Sequence, residues 1–160
     1  MKKSSSKKPI ARNILFAIAV IVFGFILLNL VFIFYALFLR AMESIMSFIF
    51  NISVVDYFWF PKSIHALFLI IIGVLYWLVF KLKINDVYKA ICMTAPLAVV
   101  FTFISILFYS WQILVYLFGA LFSIGVLYYF YRTKQPWIYY YVLILIALVF
   151  LIVNILGIDI

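Results

Sequence analysis

The side chains able to do chemistry in this chain of 160 residues are few: one histidine (His65), one cysteine (Cys92) and four acids (Glu43, Asp56, Asp86 and Asp159). A lone cysteine rules out an intrachain disulfide, a cysteine-built zinc site and a dithiol redox pair. His65 could pair with Asp56 if the chain between them folds back, but a hydrolytic triad also needs an activated nucleophile, and no G-x-S-x-G surrounds any serine. A structural or interfacial histidine is therefore the expectation. Acids or several histidines at helix-face spacing, which proton coupling, aspartyl intramembrane proteolysis and metal-assisted hydrolysis all require, are absent from the apolar stretches. The sequence predicts no catalytic residue, cofactor, metal site or nucleic-acid partner.

The elements that would position these residues announce themselves by composition. Hydrophobic residues make up 71% of the chain and charged ones 10%, against about 25% charged in a soluble domain. A helix crosses ~30 Å of hydrocarbon with about 20 residues, because lipid offers no partner to a free backbone N–H or C=O. Five stretches meet that length, at about 13–39, 63–80, 90–109, 113–131 and 138–156. The third and fourth are parted only by Ser110, Trp111 and Gln112; as one helix they would span roughly 63 Å, twice the bilayer, so a tight hairpin is predicted. The predicted fold is an all-α polytopic transmembrane bundle of five spans plus one amphipathic outer helix, as a single domain over 13–160 behind a basic tail at 1–12.

That tail begins like a signal peptide. The apolar run that follows is 27 residues long, without a small-x-small cleavage site before Arg40, whereas a secretory h-region has roughly 7 to 15. A retained anchor is expected.

Lysine and arginine set the orientation, since they accumulate in cytoplasmic loops. With the N-terminus inside, Lys2, Lys3, Lys7, Lys8, Arg12, Lys81, Lys83, Lys89, Arg132 and Lys134 are cytoplasmic, and only Arg40 and Lys62 lie outside. With Asp86 on the inner side and the other three acids outside, the faces carry a net +9 and −1. Tyr57, Trp59, Tyr109, Trp111, Trp137 and Tyr139 to Tyr141 fall at the predicted boundaries, where an amphipathic ring is favoured. The expected location is a bacterial or archaeal cell membrane, N-terminus cytoplasmic and C-terminus outside. Lys2, Lys3, Lys7 and Lys8 are candidate contacts for anionic lipid headgroups, at about 1 kcal/mol per well-placed cation.

Between Arg40 and Lys62 a pattern appears. Arg40, Glu43, Ser44, Ser47 and Asn51 recur within an arc of about 100°, opposite Met42, Ile45, Met46, Ile49 and Ile52. This predicts an amphipathic helix that either lies in the outer interface or continues the first span and turns its polar stripe toward the bundle. Pro61 should end the segment. Asn51-Ile52-Ser53 matches a glycosylation acceptor, relevant only in a eukaryotic secretory pathway.

Inside the spans the polar residues are neutral. Asn29, near the middle of the first, should seek a partner on another helix. Ala90, Thr94 and Ala98 repeat every four residues on the third span, and Gly119 and Ser123 form a small-xxx-small pair on the fourth. Such faces let backbones approach closely, which predicts that these two spans make the tight centre and carry homo- or hetero-oligomer contacts. Pro96 removes a backbone hydrogen bond and is expected to kink the third span. Asn154 and Gly157 should mark the end of the last.

A basic loop leading into Val87-Tyr88-Lys89-Ala90, with Pro96 beyond it and five spans from a cytoplasmic N-terminus, is similar to the layout of the Yip-domain family. That family's D-L-Y-G-P signature is absent, so no functional residue carries over. The resemblance implies a non-enzymatic membrane protein of the trafficking or scaffold kind. The favoured expectation is accordingly a non-catalytic accessory, assembly or scaffold subunit. The alternative is a small transporter or channel subunit, motivated by Asn29, Pro96, Thr94, Thr102 and Ser105, that would enclose a path only as an oligomer or with a partner.

Overall fold

The computed structural model describes the backbone of residues 7–50 and 60–156 and the side chains of 10–49 and 60–156. Outside the described residues lie Lys2, Lys3, Asn51 to Ser53, Asp56, Tyr57, Trp59, Gly157 and Asp159, together with the side chains of Lys7 and Lys8. The described chain is five helices: α1 (Lys7–Phe50), α2 (Phe60–Lys81), α3 (Asp86–Leu107), α4 (Gln112–Arg132) and α5 (Trp137–Leu156). All five are long and apolar enough to cross a membrane.

The helix boundaries follow local chemistry. Pro61 sits in the first turn of α2, where a missing N–H costs nothing. Asn85 caps α3 by accepting the Val87 N–H at 3.3 Å, and Asp86 places its charge at the positive end of the helix dipole. The predicted hairpin is present: α3 stops at Leu107, and the Trp111 N–H returns to the Phe108 carbonyl at 2.8 Å before α4 begins. At the far end of α4, Lys134 adopts a left-handed φ of 51°, the Gln135 N–H reaches back to Phe130 O at 3.0 Å and Lys134 N–H to Tyr131 O at 3.3 Å. This is the paired closure of a Schellman motif, with Pro136 following to prevent continuation.

α1 departs from the expected boundaries. It is 44 residues long, so the amphipathic segment after Arg40 is helical but forms the distal part of α1 rather than a helix of its own. Neither Gly nor Pro occurs between Arg40 and Phe50, and one charged pair does not stop a helix. Met42 and Met46 pack on Phe60 and Ile64 of α2. Of the polar stripe, Arg40, Ser44 and Ser47 are exposed, with Ser44 and Ser47 donating to Arg40 O and Ser44 O of their own helix at 2.9 and 3.0 Å.

α3 is the axis of the bundle and α1, α2, α4 and α5 all pack against it. Nine of its residues are buried, from Ala90 to Ile104. A helix apolar on every side is expected where every side is covered. Val20 of α1 joins Ala90, Met93, Leu97 and Phe101 of α3 with Val142, Leu143 and Ile146 of α5 in one core, while Val31, Phe68 and Ile72 meet Ala95 and Val99 in a second.

The expectation that the third and fourth spans form the centre is half corrected. α4 buries only Val115, Gly119 and Phe130 and lies at the periphery. The small face of α3 is turned to α1 instead: a Cβ added at Gly24 would lie 3.0 Å from Thr94 Cγ2. Gly119 meets aromatic rings rather than a second small face, with Phe150 Cε1 at 3.0 Å and Phe101 Cε1 at 3.7 Å from its would-be Cβ. Since α3 is enclosed, the surfaces left for an oligomer contact are those of the outer helices.

Candidate functional site

His65, Asn29, Thr94, Thr102, Ser105 and Asn154 fall into three places. His65 occupies the first. One and a half turns into α2, it is 2% exposed, stacked on Phe103 at 5.6 Å with rings parallel to 2° and met edge-on by Tyr35 at 4.8 Å. Its Nε2 lies 3.3 Å from Val99 O, and Nδ1 is buried without a partner among the described residues. Since a carbonyl can only accept, Nε2 carries the proton and Nδ1 a lone pair. The ring is a packed core element tying α2 to α3, and its surroundings are aromatic.

The second place is a groove along α3 between α1 and α5. Asn29, Thr94 and Thr102 all line it. Asn29 does not find the expected partner on another helix: it is exposed, and its Nδ2 donates to Phe25 O, one turn back on α1, at 2.8 Å. A short amide side chain can satisfy itself on the preceding turn. Thr94 likewise donates to Ile91 O at 2.7 Å. Thr102, 9% exposed, forms no hydrogen bond to any described residue.

The third place is the Arg40 end of α3 and α5, where Ser105 Oγ donates to Asn154 Oδ1 at 3.4 Å and Asn154 Nδ2 donates to Phe150 O at 2.9 Å. Asn154 thus ties α5 to α3 two residues before α5 ends. Ser123 donates to Gly119 O of its own helix at 2.8 Å. Pro96 lies within an unbroken α3 and lines a separate cavity of about 290 Å³ with Tyr76, Met93 and Tyr139; its missing N–H leaves Cys92 O without a helical donor.

Opposite the Arg40 end, the bundle gathers Arg12, Lys81, Lys83, Lys89, Arg132 and Lys134 at helix ends and turns. Lys81 Nζ lies 3.6 Å from the centre of the Trp77 ring and Lys89 Nζ 5.1 Å from that of Phe80, the posture of cations whose stems run along apolar surface. Cys92 is a half-buried free thiol. Among the described residues no three of His, Cys, Asp and Glu converge.

The structure thus brings Asn29, Thr94 and Thr102 together and leaves Pro96, Gly119 and Ser123 elsewhere. The spacing of polar residues did not single out Gly24, although it is the only glycine in the apolar run that holds it. No family model, curated relative or solved structure matches this chain.

Proposed function

We propose that the protein is a non-catalytic integral membrane protein, its N-terminus cytoplasmic and its C-terminus outside a bacterial or archaeal cell membrane, acting as an accessory, assembly or scaffold subunit that offers α1 to a partner. The observation that carries this reading is the reach of α1. At 1.5 Å per residue the helix is about 66 Å long, roughly twice the hydrocarbon core, and tilts of up to about 40° cannot absorb the excess. Beyond Arg40 it still exposes Ile45, Phe48 and Ile49, with Phe48 90% accessible. Apolar side chains past the last cation of a span lack lipid tails to cover them, and exposed contiguous apolar surface marks interaction sites.

The cations at the end holding the α1 N-terminus support the cytoplasmic assignment. That surface also suits anionic lipid, with Lys2, Lys3, Lys7 and Lys8 continuing it. The Yip-like layout fits the same non-enzymatic role. A transport role draws less support, because Asn29, Thr94 and Ser123 each bond a carbonyl of their own helix and the cavities are walled mainly by apolar side chains.

One experiment addresses placement and role together. In a Cys92→Ser background, Phe48→Cys should react with a membrane-impermeant maleimide added to intact cells, and Lys134→Cys only after permeabilisation. A photo-cross-linking amino acid at position 48 should yield one discrete protein adduct in native membranes. Labelling of Lys134→Cys in intact cells overturns the orientation; adducts at position 48 with lipid alone overturn the partner role.

A further inference from the structure

α1 and α5 both follow α3, and the space they leave between them is a groove of about 370 Å³. On α1 its wall runs from Val20 to Phe32, thirteen residues whose twelve steps of 1.5 Å cover about 18 Å. Volume over length gives a mean section of about 20 Å², which suits an extended hydrocarbon chain with carbon contacts at about 4 Å. A cavity of about 150 Å³ accommodates benzene, so this groove has room for about fifteen carbons.

The groove is also placed and furnished for a particular chemistry. Thr94 and Thr102 bracket the midpoint of α3, with Thr102 five residues, about 7.5 Å along the helix, from its Leu107 end. No charged residue lines it, and an unpaired carboxylate or phosphate there would carry a prohibitive desolvation cost. Two polar groups toward its Arg40 end do have unmet capacity. Thr102 is nine-tenths buried with a hydroxyl that no described residue engages, and the exposed Asn29 uses one amide hydrogen on Phe25 O while its Oδ1 accepts from no described residue. A side chain as enclosed as Thr102 ordinarily finds a hydrogen-bond partner.

We propose that this groove binds one molecule of a neutral single-chain lipid about fifteen carbons long, whose hydroxyl or carbonyl oxygen is met by Asn29 and Thr102 and whose tail runs toward Val20. The site is independent of the partner role proposed for the distal end of α1.

The test uses the full chain in phosphatidylcholine liposomes with 1-hexadecanol carrying a mid-chain diazirine. Photolysis should place adducts on groove-lining peptides of α1, α3 and α5. Excess 1-hexadecanol should suppress them, and palmitate at neutral pH should compete at least tenfold less well. Ala98→Phe fills the groove and should reduce the adduct at least tenfold, while Thr102→Val and Asn29→Leu should each reduce it about three- to tenfold. Should Ala98→Phe fail to fold, Val149→Phe fills the same space from α5. Labelling of the outward face of α4 to the same extent, indifference to the filling variants, or equal competition by palmitate overturns the proposal. So does a disulfide-linked dimer through Asn29→Cys in a Cys92→Ser background, which would put a second copy at the groove mouth.

Discussion

The approach of α1 to α3 at Gly24 gives a sharp test of the bundle's packing. Replacing Gly24 by Ala puts a methyl 3.0 Å from Thr94 Cγ2, whereas carbon atoms settle at about 3.5–4.0 Å. Either α1 and α3 must part by about 0.5–1 Å at this point or Thr94 must turn. Thr94 is 1% exposed and held by its hydroxyl bond to Ile91 O at 2.7 Å, so turning it forfeits that bond inside a filled core. Overpacking of this kind costs about 1–3 kcal/mol. Gly73 and Gly125 are the controls, because a Cβ at either meets nothing within 4 Å; Gly73→Ala and Gly125→Ala should be neutral or stabilise by up to about 1 kcal/mol through backbone entropy. Thr94→Ser removes the obstructing methyl and keeps the hydroxyl, so Gly24→Ala/Thr94→Ser should recover most of the loss. Unfolding by SDS titration in mixed micelles, followed by circular dichroism, measures all four. If Gly24→Ala matches Gly73→Ala within about 0.3 kcal/mol, or Thr94→Ser gives no rescue, the α1–α3 approach is not as described.

Two further substitutions bear on other parts of the bundle. His65→Phe preserves the ring that stacks on Phe103 and removes an unpartnered buried nitrogen; it should be neutral or mildly stabilising, whereas His65→Ala should cost about 3–5 kcal/mol as a large core cavity does. Equal loss in both variants by the same titration would reveal a polar role that the Val99 contact alone does not explain. Lys134→Gly relieves a left-handed backbone at φ 51° and should stabilise the α4–α5 turn by about 0.5–1 kcal/mol; a lower unfolding midpoint would contradict the turn geometry.

Much of the architecture was legible because lipid is a demanding solvent. The requirement that every backbone group be bonded inside its own segment sets a minimum helix length, and the five predicted stretches sit on the five helices to within a few residues at most boundaries. The exception was instructive. Arg40 looked like the end of a span, but charge ends burial and not helicity, so α1 ran on to Phe50. Small-residue spacing correctly marked α3 as a close-packing helix yet chose the wrong mate. Gly24 is a single residue without a periodic companion, and which small face meets which depends on helix order in space. Asn29 was misjudged for a related reason: its need for a partner was real, but the carbonyl one turn back could meet part of it. The pairing of Ser105 with Asn154, 49 residues away, left no local signal at all.

The position of α3 bears on how the chain comes to be built. It is third in order of synthesis, yet it supplies the partners of its predecessors: Thr94 for Gly24, Val99 for His65. Until it is inserted, α1 and α2 hold each other through Val31 and Ile72, rings such as Tyr35, Phe38 and Phe68, and the methionines that cover Phe60 and Ile64. A nascent chain paused before Asp86 would present an unsheltered imidazole and a bare helix groove to the lipid. The interval between translation of the second and third helices is thus when this protein depends most on a chaperone or on the insertion machinery itself, and when quality control has most to recognise.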